Sequence, residues 1–182
     1  MKPISLGKKL ARLKRRLVKT FTGRPDPVTE VAAFWSYSLA RGAYRQFPAS
    51  YFREATLSLR HIKDLTTAEE ICGHGTNLFP LDLPLAIEHA LIARDDAVRM
   101  VRWQHVIAVG GDQAPASAFS NLANCYFQAN DPVTEEALLE RGLALHPANF
   151  SLLRKLGNLS STSGFTVKAI TAWNSADRKS VV

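Results

Sequence analysis

The chain of 182 residues carries 23 Lys and Arg against 16 Asp and Glu, with 46% hydrophobic and 21% charged residues, enough for one ordinary core or one short array. That balance excludes a fully disordered chain, and no apolar run approaches the roughly 18 residues that crossing a bilayer needs. Cys72 and Cys125 are too few for a disulfide scaffold and too far apart for a zinc or redox motif, which fits a reducing compartment.

The charge is unevenly placed. Residues 1–24 hold nine basic residues and no acid, leaving 14 basic and 16 acidic residues for the rest, a net of −2. Leu6, Leu10, Leu13, Leu17 and Phe21 recur at helical spacing, flanked by Lys8, Lys9, Arg12, Arg15, Arg16 and Lys19. A basic amphipathic helix of this kind can lie in an anionic membrane interface. Two readings compete with that one: docking of the leucine stripe on the following helices, and an organelle transit peptide. A secretory signal is excluded because charges interrupt every apolar pair, and nucleic-acid binding is disfavoured because no base-reading motif accompanies the cations.

Gly23, Pro25 and Pro27 stop this helix and make residues 25–48 a hinge and linking helix. The linking helix is expected to take Thr29 as its cap and to run to about Tyr44, before Pro48.

Residues 49–182 contain a repeat. Phe119, Leu122, Ala123 and Tyr126 set spacings that Leu153, Leu156, Gly157 and Ser160 reproduce 34 residues later. Turns follow at Asn130-Asp131-Pro132 and Ser163-Gly164, and His74 to Pro80 echoes Arg141 to Pro147 two periods apart. Between them, Arg94-Asp95-Asp96 reads as a turn within a repeat and Gly110-Gly111-Asp112 as a turn between repeats. Strand signals are missing: no alternating run is bounded by hairpin turns.

This arrangement resembles the tetratricopeptide repeat (TPR). The last unit, residues 150–182, matches through Leu153, Leu156-Gly157, Gly164, Ala169, Trp173 and Ala176. The unit at 116–149 matches through Phe119, Leu122-Ala123, Tyr126, Leu139, Gly142 and Pro147, with Glu135 where the family usually has Ala, a departure that weakens the expectation of its second helix. Two more units, beginning near residue 49, are degenerate. The expected fold is all-α: a TPR-like solenoid of antiparallel helix pairs behind an N-terminal basic amphipathic helix.

Catalytic chemistry finds no support in the sequence. His61, His74, His89, His105 and His146 include no pair at the spacing of a helical zinc site. Glu69-Glu70 and Glu135-Glu136 are adjacent and point to different sides of a helix. Neither enzyme, cofactor nor metal is therefore expected. The resemblance instead implies a binding surface on the first helix of each repeat, here Ser117, Ser120, Asn121, Asn124, Phe127 and Gln128, then Ser151, Arg154, Lys155 and Asn158. Amides and two cations suit an extended peptide or an acidic group. Carboxylate-clamping members of the family use Lys, Arg and Asn on this face, but Ser120 stands where a clamp carries Lys.

The expected function is a non-catalytic adaptor for a protein or peptide partner, cytoplasmic or peripheral at the inner membrane face. Because only Asp177 to Val182 follow the last matched positions, with no polar capping helix, self-association through that end or continuation of the array is also expected. Two rival readings are the non-catalytic part of a bacterial glycan-building or sulfate-transferring enzyme system, and a nucleic-acid-associated protein that uses the basic arm.

Overall fold

The computed structural model describes residues 27–162 and Thr171. The basic arm, with Lys8, Lys9, Arg12, Arg15, Arg16 and Lys19, and the second helix of the last repeat, with Ala169, Trp173 and Ala176, lie outside the described residues. Among the described residues every regular element is helical, in an all-α, TPR-like arrangement of helix pairs. The chain divides at Pro80/Leu81 into two compact units.

In the first unit, α1 spans Pro27–Ala40. Proline suits a first helical position, where its missing N–H would have had no partner. Thr29, expected as the cap, therefore lies inside the first turn rather than before it. The helix also ends before Tyr44. Gly42 takes φ 64°, a left-handed conformation that glycine adopts without a Cβ penalty, and a single 3-10 turn follows at Ala43–Gln46.

Helix α2 (Ala49–His61) follows Pro48, and α3 (Leu65–Leu78) starts at Asp64, whose side chain accepts from the Thr67 backbone N–H at 3.2 Å. Much of this unit's core is aromatic. Trp35 meets Phe47 edge-on at 5.4 Å and Phe52 at 4.9 Å, while Phe34 stacks on Phe47 at 5.6 Å. Such ring pairs add to area burial, and the fully buried Phe52 carries the cluster into the α2–α3 contact, together with Leu59 and Ile71.

The second unit contains α4 (Leu83–Leu91), α5 (Asp96–Gly110), α6 (Ala116–Gln128), α7 (Pro132–Leu145) and α8 (Phe150–Thr162). Asp82, Asp95 and Asp131 accept from the backbone N–H three residues on, as N-caps of α4, α5 and α7. Asn149 does the same for α8 through the Leu152 N–H at 3.1 Å. Each helix packs on the next, and α6 also packs on α8. First helices of successive pairs begin at Ala49, Leu83, Ala116 and Phe150, steps of 33 or 34 residues.

The core between these helices is built from small and aliphatic residues. Ala118, Phe119, Ala123, Leu139 and Leu152 are fully buried. At Gly142 the approach is so close that an added Cβ would stand 2.9 Å from Phe119 Cβ and 3.1 Å from Leu152 Cδ1. This position has room only for glycine. Helix α7 forms despite Glu135: the Asp131 cap and Pro132 set its start, and the glutamate is carried inside.

Candidate functional site: the face of α6 and α8

Ser117, Ser120, Asn121, Asn124, Phe127 and Gln128 recur along α6 at the i, i+3, i+4 and i+7 spacing of a helical stripe, so they share one side of that helix. Ser151, Arg154, Lys155 and Asn158 do the same on α8. Because α6 packs on α8, the two rows stand side by side. Two contacts join them: the Ser120 and Ser151 hydroxyls lie 3.2 Å apart, and Lys155 Nζ donates to Asn124 Oδ1.

The rows differ in what they expose. Ser117, Asn124, Phe127, Gln128, Arg154 and Asn158 are open to solvent, whereas Ser120, Asn121, Ser151 and Lys155 are half-buried between the helices. Phe127 is 70% exposed, a large apolar ring left outside the core at the end of a row of amides. At the corresponding register on α4 stand Ile87, Glu88 and Leu91, so the amides of α6 and the cations of α8 have no counterpart there.

Glu135 is the member that sequence reasoning passed over. It was visible as a departure from alanine, but its burial was not. The residue is 5% exposed, and its Oε2 has no hydrogen-bond partner among the described residues. Burial pushes its carboxyl up from the ordinary glutamate range, and the Lys155 ammonium pulls it partly back. Lys155 responds in the opposite sense: burial lowers it, Glu135 raises it and the nearby Arg154 lowers it again.

Two of the histidines, His74 and His146, are engaged in contacts within the fold. His146 Nε2 lies 2.8 Å from the Ala114 carbonyl oxygen and its ring meets Phe119 at 6.2 Å, while His74 packs on Tyr44 at 4.8 Å. Among the described residues no group of three or more His, Cys, Asp or Glu is arranged to hold a metal, and no helix is long and apolar enough to cross a membrane.

No protein-family model matches the chain, and no curated protein sequence does either. Solved structures do match. MamA from Desulfovibrio magneticus RS-1 (residues 41 to the end) is similar over 93% of this chain and 94% of its own, with TM-score 0.68 and 13% identity. PilW, a type IV pilus biogenesis factor, is similar over 87% of this chain and 80% of its own, with TM-score 0.56 and 16% identity. The Cut9–Hcn1 hetero-tetramer structure of APC/C matches 93% of this chain across 36% of its own, with TM-score 0.57 and 16% identity. All are TPR-like helical-repeat proteins. At these identities the likeness establishes the fold.

Proposed function

We propose that this chain is a non-catalytic helical-repeat adaptor that takes an extended segment of a protein partner along the α6–α8 face. The observation that carries the reading is Phe127, an exposed ring on the same side of α6 as the exposed Asn124 and Gln128, with Arg154 exposed on the neighbouring α8. An apolar anchor among donors and acceptors matches what an extended peptide offers: side chains at intervals and main-chain groups between them. The TPR-like fold supports the same reading, since first helices of such repeats carry partner-binding surfaces.

Selection of random displayed peptides on the full chain tests it. Enriched peptides should lose binding to Phe127→Ser and to Arg154→Glu, yet bind normally to Val101→Ser, a change on the solvent side of α5. Equal loss at Val101, or no enrichment, would overturn the proposal.

A second reading concerns the arm, favoured by nine basic residues without an acid in residues 1–24. It places the adaptor at the cytoplasmic side of an anionic membrane. Sedimentation with anionic and neutral vesicles should retain the chain on the former only, and replacing Lys8, Lys9, Arg12, Arg15, Arg16 and Lys19 by glutamine should release it. Binding to neither vesicle would remove this reading and leave the first intact.

A further inference from the structure

Arginines of the two units are used differently. Three in the second unit are engaged by the fold. Arg99 pairs with Asp96 and donates to the Ala93 carbonyl at 3.0 Å, Arg102 donates to the His89 carbonyl at 2.9 Å, and the Arg141 guanidinium lies 5.9 Å from the centre of the Phe119 ring. In the first unit Arg41 and Arg45 are exposed, and among the described residues neither guanidinium meets an acid or a hydrogen-bond acceptor.

What these two do contact is aromatic. The Arg41 guanidinium lies 4.5 Å from the centre of the Tyr37 ring, and that of Arg45 lies 6.0 Å from the Tyr44 ring. Tyr44 in turn packs on His74 of α3 at 4.8 Å, and Gly42 at φ 64° sets the turn that carries the chain from Arg41 to Arg45. A ring against the face of a guanidinium holds its plane and leaves the N–H edges to donate outward. The corner therefore presents two oriented cations that the described fold does not neutralise, each on a tyrosine.

Such a corner fits a partner that brings negative charge on oxygen acceptors, and phosphate matches the guanidinium fork. The surrounding sequence selects the kind of phosphate. No acid stands between Glu30 and Glu54, and residues 1–24 bring nine further cations, so the corner extends a stretch of one sign. Cations alone would serve nucleic acid, but the arm interleaves them with Leu6, Leu10, Leu13, Leu17 and Phe21, which suits acyl chains beneath phosphate headgroups. Tyrosine suits the same boundary through its apolar ring and polar hydroxyl, and Tyr37 is 37% exposed.

We infer that the Tyr37–Arg41–Tyr44–Arg45 corner of the first unit is a second contact with an anionic membrane surface, adding headgroup binding to what the arm supplies. This deepens the membrane reading of the arm and rests on it.

Sedimentation of the full chain with vesicles of phosphatidylserine and phosphatidylcholine tests it, with pure phosphatidylcholine as the neutral surface and double-stranded DNA measured alongside. With the arm intact, Arg41→Gln/Arg45→Gln should bind the anionic vesicles about tenfold more weakly, the loss expected of two cations at such a surface. Arg41→Lys/Arg45→Lys should stay within about threefold of the unmodified chain, because the charge is kept. Arg94→Gln, which removes an exposed cation of the second unit, should bind as the unmodified chain does. Unchanged binding of the double glutamine variant would overturn the corner and leave the arm reading standing. An equal loss in the lysine variant or at Arg94 would also overturn it, the effect then being one of folding or of net charge. Binding of the unmodified chain to neither vesicle would overturn both readings. Retention by DNA instead of vesicles, lost with the same two arginines, would overturn the membrane contact and assign the corner to nucleic acid.

Discussion

The first and third repeats bend in the same way with different residues. In the first, Lys63 at φ 66° precedes the Asp64 cap; in the third, Asn130 at φ 56° precedes the Asp131 cap. Asp64 N–H bonds the Leu59 carbonyl at 2.9 Å, and Asp131 N–H bonds that of Tyr126 at 3.0 Å. Their second helices end alike too: Phe79 and His146 have nearly equal backbone angles, and each donates its N–H to a glycine carbonyl, of Gly75 and Gly142, at 2.8 Å. Phe79 then meets Phe52 at 6.1 Å, as His146 meets Phe119 at 6.2 Å. The second repeat departs from both, with a shorter first helix and Gly111 at φ 51° after its second. Caps and chain reversals thus preserve the geometry of a repeat while its side chains drift.

Substitutions at matched positions can break that equivalence. The largest expected effect is at the buried rings: Phe52→Ala and Phe119→Ala should each cost about 3–5 kcal/mol in denaturant unfolding, since both are fully buried. A cost confined to one of them would show that only one repeat rests on its ring. Next, Gly142→Ala should destabilise by about 1–3 kcal/mol because its Cβ meets Phe119 at 2.9 Å. Gly73→Ala, the same chemical change in α3 with nothing within 4 Å, should stabilise by about 0.5–1 kcal/mol. Equal signs for the two glycines would refute the packing argument. At the bends, Lys63→Gly should gain about 1 kcal/mol by relieving a left-handed lysine, and Asn130→Gly much less.

The smallest effect is read as a slope. Glu135 holds its proton more tightly in the folded chain than in the unfolded one. Its contribution is therefore complete in acid and is lost as pH rises through the ordinary glutamate range toward its raised value. Glu135→Gln should flatten that decline in a stability-versus-pH series. Lys155, lowered by burial, works the other way at alkaline pH, where stability rises toward the ordinary lysine range. An unchanged acid-side slope in the glutamine variant would place the titration elsewhere.

Much of the fold was legible because it depends on short-range chemistry. Asp95 and Pro132 mark helix starts wherever they occur, and the spacing from Leu122 to Leu156 marks a repeat. The rows on α6 and α8 were legible for the same reason, since a helical stripe needs only register. Lys63 was not, because a lysine gives no sign of a left-handed backbone; the bend around it imposes that conformation. The ring cluster of the first unit was hidden as well, since Trp35, Phe47 and Phe52 come together only through tertiary packing. Glu135 stood out as an oddity, but its relation to Lys155 depends on how α7 meets α8.

Cys72 is buried in the first unit and Cys125 in the second, where burial pushes its thiol up and keeps it protonated and slow to react. Each unit therefore carries its own chemical clock. The rate at which a small alkylating reagent reaches either sulfur reports how often the helices around it part, unit by unit, with no probe to be introduced.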